Sequence, residues 1–587
     1  MAEKLAYQSS LGDPLFKNYY LPWKGFVWWN QSPNISAIFY KQFALIASAA
    51  SLIYGLCVFF LVTYNPATKG NETLHGTSKW ADWNDVKKSG LLKPASDGEG
   101  VVIGGYEHKG KLNYLYHKGS EHVAVVAPTG SGKGVSLLLP TLFSWTSSVF
   151  VLDLKAEAWS LTSGWRKKWA NNVVLKFEPA DSTSTGARFN PLAEIRIHTD
   201  FEVGDTQVIS DIIVKPDGQT GNSSGSSKFF EDTSMAFVTG LMLHLLYKHE
   251  AKGWPKANLP DVANALSDPQ LTFDLLLIEM IGNNYYNGAS HPLVESSAQD
   301  VLEMDERLQS NVKASVRQYF TLYRDPIISK NIAQSDFKID DLQNHEKPVS
   351  LYLVIPPREK ARLMPIVRIM MTLVQTNLMK EMEYKEGRSV RSYKHKLLTL
   401  YDEFTSLGKM PIIEEQLAYI RSYGLMSYII IQDIHQLYKH YTVNETFLSG
   451  AHVKCFFAPN EIKTAEYISK ILGKTTVTKK DASMTGKRFS VLLGRVTTHE
   501  REHARELLKP EEILKLKSPE KDDRDNITKA GEMLVHRVGD NPIRGTQPLY
   551  FLDETFLARS KVPPPERSDS IILAHHNNKF VSDENDS

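Results

Sequence analysis

The 587-residue chain is poor in cysteine and carries almost no net charge. Its two cysteines, Cys57 and Cys455, stand far apart in the sequence. They suffice neither for a metal site nor for a disulfide framework, which fits a reducing compartment. The 68 basic and 67 acidic side chains leave a formal net charge of +1, so no overall electrostatic field indicates a nucleic-acid binder. Any contact with DNA must therefore come from local basic patches.

Charged residues are missing from one long segment, Phe43–Val62 (FALIASAASLIYGLCVFFLV). A helix of about 20 apolar residues spans the hydrocarbon core of a bilayer. The sequence therefore predicts a transmembrane helix over 42–64, with a buried core helix as the alternative. The lysines that follow place the C-terminal side in the cytoplasm, so residues 1–41 would be extracytoplasmic and the bulk of the chain cytoplasmic. These lysines are Lys69, Lys79, Lys87 and Lys88.

Beyond this segment, short apolar runs alternate with helical patterns, which is typical of an α/β fold with a parallel sheet. The apolar spacing turns helical in the middle, at 229–247 and 311–323, after a flexible Gly/Ser loop at 218–227. We therefore predict an all-α domain inserted into the α/β domain. Strands are predicted over 123–126, 148–153, 172–177, 349–355, 397–401, 428–431, 453–458 and 531–536.

A glycine-rich turn, Ala127–Gly134 (APTGSGKG), follows the first of these strands and precedes an apolar helix over 135–144. Glycines let backbone amides approach phosphate groups, and the N-terminus of the helix favours an anion. Lys133 would reach the β- and γ-phosphates of a nucleotide. The predicted ATP cradle consists of Thr129, Gly130, Ser131, Gly132, Lys133, Gly134 and Val135.

Two positions of this loop depart from the consensus. Ala127 replaces the first glycine, and Gly134 replaces the Ser or Thr that normally binds Mg²⁺. Ser136 lies two positions further on and would point elsewhere on the helix. We hypothesise that the metal depends more on water and on a distant acidic pair.

That pair is Asp402-Glu403, which follows the apolar run 397–401. A carboxylate at the C-terminal end of a parallel strand lies over the crevice where ligands bind. Asp402 would hold Mg²⁺ through water, and Glu403 would polarise the attacking water. The alternative is a pair of solvated carboxylates that cap the next helix.

Three other polar features carry weaker predictions, each with a structural alternative. Gln432 ends a strand and could sense the γ-phosphate, unless it only forms a turn. Arg421 precedes a glycine turn and could be an arginine finger for a neighbouring subunit, unless it is a surface arginine. Asp153–Glu157 follows another strand, near the nucleotide or a subunit interface, unless Asp153 caps a helix. The candidate basic patches, each with a solvated face as its alternative, are 166–168, 391–396 and the Thr/Lys/Ser-rich 474–488, which has the composition of a mobile loop.

Together these residues resemble the TraG-type type IV coupling proteins. The markers are LHGTSKWA (74–81), APTGSGKGVS (127–136), DLKAE (153–157), RFNPL (188–192), YRDPIISKNIAQSDF (323–337), PVSLYLVIPP (348–357), DEFTSLGK (402–409) and IIIQDIHQL (429–437). The resemblance implies a RecA-like P-loop NTPase domain, ATP and Mg²⁺ as cofactors, and a homo-hexamer on the bacterial inner membrane. A glycine after the loop lysine is usual in this family. Relatives usually have two membrane helices, whereas one is found here.

The expected function is that of a coupling ATPase, which recruits a relaxase with its single-stranded DNA and feeds it to a type IV secretion channel. Its partners would be the relaxosome and inner-membrane components of that channel. The alternatives are a non-hydrolysing membrane receptor or scaffold and a chromosome-type double-stranded DNA translocase.

The predicted organisation has six segments along the chain. An extracytoplasmic segment (1–41) precedes a transmembrane helix (42–64). The nucleotide-binding domain is built from two stretches, 65–195 and 341–560, which are separated by the all-α domain (196–340). A disordered tail (561–587) follows.

Overall fold

A computed structural model describes residues 36–63, 76–92, 100–215, 225–380, 384–390, 392–485 and 495–572. Its contacts divide the chain into two compact units. The first comprises 1–77 and 476–505, and the second 78–475 and 506–587. The large sheet and almost all the helices belong to the second unit.

The strands are numbered in chain order: β1 Val101–His108, β2 Lys111–His117, β3 Val123–Val126, β4 Ser148–Asp153, β5 Val173–Phe177, β6 Val349–Val354, β7 Tyr384–Lys385, β8 Arg388–Ser389, β9 Leu397–Tyr401, β10 Leu425–Ile431, β11 Val453–Phe456, β12 Lys474–Thr485, β13 Arg495–Glu506, β14 Glu520–Lys521, β15 Ile527–Lys529, β16 Glu532–Arg537 and β17 Ile543–Thr546. The α-helices are α1 Ser36–Thr63, α2 Trp83–Lys88, α3 Leu139–Ser144, α4 Glu157–Lys168, α5 Glu202–Val214, α6 Gly225–Ala251, α7 Leu259–Ala265, α8 Phe273–Gly282, α9 Pro292–Leu302, α10 Glu306–Tyr319, α11 Pro326–Ile332, α12 Asp341–Asn344, α13 Lys360–Thr376, α14 Pro411–Gln416, α15 Ile434–Tyr441, α16 Phe447–Gly450, α17 Ile462–Leu472, α18 Pro510–Ile513 and α19 Glu554–Ser560.

One 11-stranded sheet, in the order β2-β1-β17-β16-β11-β3-β10-β9-β4-β6-β5, forms the centre of the second unit. The strands from β11 to β5 in this order run parallel to one another, whereas β11 is antiparallel to β16. Strands such as β3 and β9 are buried along their whole length because helices cover both faces, which explains their uninterrupted apolar sequences. The predicted α/β class with a parallel sheet is confirmed. The antiparallel hairpin β1–β2 was missed, because Gly104 and Gly105 interrupt its pattern.

The segment between β5 and β6 is helical, from α5 to α12. Its longest helix, α6, begins at Gly225, so the last residues of the predicted Gly/Ser loop are already helical; residues 216–224 lie outside the described residues. Side chains of α6 such as Phe237 and Leu241 belong to the same hydrophobic cluster as Phe150 of β4. The hydrophobic core of the helical segment is therefore continuous with the core on one face of the sheet. The exact domain boundaries stay predictions.

The first unit contains the apolar helix α1. Among the described residues, no helix combines the length and the apolar character needed to cross a membrane. The predicted transmembrane helix is therefore not confirmed. The predicted extracytoplasmic segment lies almost wholly outside the described residues.

The prediction of a mobile loop over 474–488 is wrong for the residues that the structure describes. Residues 474–485 form β12, which is in a two-stranded sheet with β13. The strand includes Thr475-Thr476-Val477-Thr478, and β-branched residues favour extended backbone. Residues 486–488 lie outside the described ranges.

The start of the predicted disordered tail is also ordered. Asp569 accepts a hydrogen bond from the backbone N–H of Val174 (2.9 Å) and donates its own N–H to the carbonyl of that residue (3.0 Å). The Ser568 hydroxyl accepts from the N–H of Lys176 (2.9 Å). This segment covers the edge strand β5 and satisfies backbone groups that a polar composition alone did not reveal. Residues 573–587 lie outside the described ranges.

Arg166, predicted to belong to a basic surface patch, is instead fully buried. Its guanidinium donates to the carbonyls of Leu142, Trp145 and Ser147, and also to the side chains of Asn172 and Ser350. Burial lowers its pKa to about 10. A planar group with five donors joins the end of α4 to α3, to the connection between α3 and β4, to the loop before β5 and to β6, so this arginine holds the fold together.

Candidate functional site

The register of four parallel strands brings the predicted site residues to one edge of the sheet. Ile431 of β10 pairs with Val126 of β3, and Ile429 pairs with Tyr401 of β9. Tyr401 in turn pairs with Leu152 of β4. The residues at the ends of these strands therefore emerge side by side at the carboxyl edge; they are Ala127, Asp153, Asp402 and Gln432.

The glycine-rich turn has the backbone that its sequence predicts. Gly130 and Gly132 adopt left-handed conformations, with φ of +75° and +88°, which L side chains rarely adopt. The Ser131 hydroxyl closes the turn on the carbonyl of Pro128 (2.6 Å). Behind the loop, Gly134–Leu138 form one wide π-helical turn before α3. Such turns occur often at functional sites.

The loop lysine meets the acidic pair. Lys133 Nζ lies 3.0 Å from Asp402 Oδ1 and 3.9 Å from Glu403 Oε1. Lys133 Nζ and Asp402 Oδ1 are both buried, yet within the described residues neither has a partner with hydrogen-bond geometry. Buried polar atoms of this kind need other partners. The oxygen-rich pair suits a magnesium ion and the lysine suits a phosphate, so the residues fit Mg²⁺ and a nucleotide.

Glu403 has a strained backbone, with φ of +55° at a residue other than glycine. It precedes the 3₁₀ turn Phe404–Leu407, but its side chain makes no capping hydrogen bond to that turn. The alternative of a capping carboxylate is therefore wrong for Glu403. Strain that persists in a folded protein is frequent at functional sites, because the surroundings hold the residue in place.

Gln432 lies half-buried directly after β10. Its side-chain oxygen is 3.4 Å from the amide nitrogen of Gln436, whose own oxygen accepts from the Thr405 hydroxyl (3.1 Å). These contacts join the segment after β10 to the segment that carries Glu403. The role of Gln432 as a γ-phosphate sensor stays a prediction.

Arg421 lies at the opposite edge of the sheet from the phosphate loop. It precedes β10, and its guanidinium donates to Glu121, which precedes β3 (2.7 Å). A strand such as β3, with about 3.3 Å per residue, separates this arginine from the loop of its own chain. Arg421 is about half exposed, so it is available to another subunit but not to its own nucleotide site.

Asp153 binds the first turn of α4 from three residues before its N-cap, Ala156, so it is close to the structural alternative without being the N-cap residue itself. It is 5% exposed and accepts hydrogen bonds from the backbone N–H groups of Lys155 (3.3 Å) and Trp159 (2.8 Å). Burial raises the pKa of its carboxyl. The carboxylate therefore stabilises the start of α4, although it shares an edge with the phosphate loop.

The comparisons with known proteins agree with this geometry. The family model for type IV secretory system conjugative DNA transfer matches residues 78–573. The chain belongs to this family. It is 41% identical over 591 residues to the conjugal transfer protein TraG of Escherichia coli, covering 97% of this chain and 91% of that protein. It is 25% identical over 482 residues to VirD4 of Agrobacterium fabrum, covering 79% of this chain and 66% of VirD4.

Solved structures of the bacterial conjugative coupling protein TrwB have the same fold. The unbound form has a TM-score of 0.54 at 18% identity and covers 82% of this chain and 96% of its own. The complex with the ATP analogue ADPNP has a TM-score of 0.54 at 17% identity and covers 80% and 93%. The complex with ADP and Mg²⁺ has a TM-score of 0.52 at 16% identity and covers 80% and 93%. Family and fold together confirm the prediction of a RecA-like P-loop NTPase.

The structure shows the surroundings of Gly134, one of the two departures from the P-loop consensus. A Cβ on Gly134 would have no atom within 4 Å, so the position that usually carries the metal-binding hydroxyl is open. The Ser136 hydroxyl donates to the carbonyl of Gly132 (2.7 Å) and is fully buried, so it does not replace that ligand.

Gln547 supports the phosphate loop, although no sequence pattern indicates this role. Gln547 is 1% exposed and donates from Nε2 to the carbonyl of Ser131 (3.2 Å). Its Oε1 accepts from the N–H of Gly531 (3.3 Å). Because Gln547 and Ser131 are 416 positions apart, no local signal could have linked the glutamine to the loop.

We expect Gly134→Thr to lower the Mg²⁺ concentration needed for half-maximal nucleotide hydrolysis severalfold, because the open position accepts a hydroxyl that can bind the metal. The measurement is a Mg²⁺ titration of hydrolysis. Gly134→Val, of similar size without the hydroxyl, is the control and should not produce this shift. An unchanged Mg²⁺ dependence in Gly134→Thr would refute the idea that water and Asp402 compensate for a missing ligand.

Proposed function

We propose that this chain is a coupling ATPase, which hydrolyses ATP to move a relaxase with its single-stranded DNA into a type IV secretion channel. The observation that carries the proposal is the contact of Lys133 with Asp402 and Glu403 at the end of a left-handed glycine turn. A nucleotide-binding scaffold needs the lysine and the turn, but it has no need of a strained carboxylate beside them.

Each residue has a distinct task in this proposal. The backbone amides of residues 129–135 hold the phosphates, and Lys133 neutralises their charge. Asp402 would hold Mg²⁺, which when bound neutralises negative charge on the phosphates. Glu403 would orient a water molecule and take up its proton as it attacks the γ-phosphate. Gln432, beside the start of the loop, would detect whether that phosphate is present.

A hexamer would give Arg421 a catalytic task. Its position at the far edge of the sheet excludes its own nucleotide but leaves the guanidinium accessible to a neighbour. A finger donated in this way stabilises the charge of the transition state. Glu121 would keep it in place until a neighbouring subunit binds ATP.

A basic groove supports single-stranded DNA as the transported polymer. This groove, of about 790 Å³, lies between the first half of α13, residues 406–409 and the end of α15. Among the described residues, none of those that line it is acidic. Burial lowers the pKa of Lys360, and the negative charge of Glu403 opposes this shift. One end of the groove is therefore within electrostatic reach of Glu403. The basic residues that line it are Lys360, Arg362, Arg368, Lys409, Lys439 and His440.

The inner membrane is the proposed location. The uncharged run Phe43–Val62 and the exposed apolar side chains of α1 support an anchor. Leu52 is 67% exposed and Ile53 is 60% exposed, which is unfavourable in water. The bulk of the chain would then be cytoplasmic, where it meets the relaxosome and the inner-membrane components of the channel.

The ATPase proposal is tested on the full chain in detergent or nanodiscs, with and without single-stranded DNA. We expect Lys133→Ala to abolish nucleotide binding. Glu403→Gln should lower kcat by about 10²–10⁴ and retain binding, because it removes only the group that handles the proton. Glu466→Gln, an exposed carboxylate on α17, is the control. Wild-type turnover no higher than that of Lys133→Ala would favour the receptor alternative.

The groove is tested with the double variant Lys409→Ala/Lys439→Ala. We expect weaker binding of single-stranded oligonucleotides and a shallower salt dependence: the slope of log K against log salt falls by about 0.7 for each phosphate that the groove no longer neutralises. Hydrolysis without DNA should not change. Lys463→Ala/Lys470→Ala, two exposed lysines of α17, controls for net charge. Equal decreases in affinity in both double variants would show that the groove has no special role.

The anchor is tested by carbonate extraction of membranes that contain the full chain. We expect Leu52→Glu/Ile53→Glu to release the protein, because charges in the centre of a span oppose insertion. Val443→Glu/Leu552→Glu, at positions 71% and 65% exposed outside α1, should stay in the membrane fraction. If wild type is extracted as readily as the α1 variant, the chain is not anchored by this helix.

A further inference from the structure

A short hairpin, β14–β15 with its connecting residues 522–526, lies against the phosphate loop. We call it the 520–529 hairpin. A Cβ on Gly130 would lie 3.2 Å from Lys521 Nζ, and a Cβ on Gly132 would lie 2.9 Å from Ile527 Cδ1. The two glycines whose backbone shapes the loop are thus the two on which the hairpin rests.

The base of the hairpin is fixed to the loop by Gln547. This buried side chain bonds the carbonyl of Ser131 on one side and the N–H of Gly531, two residues after β15, on the other. The Gln547 backbone also donates to the carbonyl of Gly531 (3.0 Å). The approach of the hairpin to the loop is therefore built into the sheet and does not depend on a surface contact.

The hairpin and the acidic pair flank the loop from opposite sides. Asp402 and Glu403 follow β9, whereas the hairpin leads into β16, and these strands lie on either side of β3 in the sheet. A phosphate chain on the loop would have metal-binding carboxylates on one side and Lys521 on the other.

Lys521 forms an exposed ion pair with Asp525, which a stronger anionic ligand can displace. Its ammonium donates to Asp525 Oδ1 (2.8 Å), four residues further along the hairpin, and this carboxylate is 83% exposed. Ion pairs at such exposed positions contribute little free energy. Phosphate oxygens carry more charge and form strong bonds with an ammonium group, so an arriving polyphosphate would compete well for the lysine.

We propose that Lys521 is a second cation for the phosphate chain of the bound nucleotide, given by the same chain, and that Asp525 holds it while no nucleotide is bound. The inference rests on the proposed nucleotide site. It adds a contact from the C-terminal region of the chain. Binding of a nucleotide to the loop is thus coupled to the hairpin and, through Gln547, to the sheet. The ligand class is a nucleoside di- or triphosphate.

The test measures binding of a fluorescent, non-hydrolysable ATP analogue, of ADP and of pyrophosphate to full-length protein. We expect Lys521→Ala to weaken binding of the nucleotides and pyrophosphate by about tenfold, the value of one charge-assisted hydrogen bond. Lys521→Arg should retain most of the affinity. Asp525→Asn should tighten binding in the wild-type background and have no effect in the Lys521→Ala background, because its influence acts only through the lysine.

Lys529→Ala is the matched control, since Lys529 lies on the same hairpin but pairs with Glu520 (2.7 Å) instead of facing the loop. It should bind as wild type does. Wild-type affinity in Lys521→Ala, or an equally weakened Lys529→Ala, would overturn the inference. Lys133→Ala is measured in parallel: if it too binds as wild type does, then the nucleotide site itself is misassigned, which is a separate failure. Thermal unfolding without ligand confirms that each variant is folded.

Discussion

The parallel register of β3, β10, β9 and β4 is the constraint on which the site depends. It fixes, by backbone hydrogen bonds alone, where four chain segments leave the sheet. The side chains of these strands are buried on both faces, so a shift of one residue would turn apolar groups away from their partners. Lys133 and Asp402 can therefore meet 3.0 Å apart although they come from distant regions of the sequence. The ion pair between Lys133 and Asp402 therefore depends on the register of the sheet more than on the local structure around either residue.

The same register places the predicted site residues at opposite edges of the sheet. The ends of the strands on which a nucleotide would rest and the ends that carry Arg421 and Glu121 lie at opposite edges. A single chain therefore has a complete phosphate cradle and acidic pair but cannot apply its own arginine. In the proposed hexamer, coupling of hydrolysis between neighbours would pass through this sheet, from the carboxyl edge of one subunit to the amino edge of the next.

The features that could be predicted from the sequence are those that depend on local pattern or on family resemblance. The glycine turn, the parallel strands, and the pair Asp402-Glu403 could be predicted from apolar runs and the residues that end them. The buried role of Arg166 could not, because a run of basic residues does not tell which one turns inward; three carbonyls at the end of α3 and in the connection after it decide this. Gln547 and Lys521 were missed for a related reason, since each acts on the phosphate loop across most of the length of the chain.

The segment 568–569 has a consequence for how copies of this protein can associate. It occupies backbone groups of β5, which would otherwise be an open edge of an 11-stranded sheet. A free edge invites a strand from another molecule, and such pairing has no natural end. With this edge closed, the sheet cannot grow through β5 from one molecule into the next. Association on that side must rely on side-chain surfaces, which can be specific in angle and can open again, as the proposed hexamer would require.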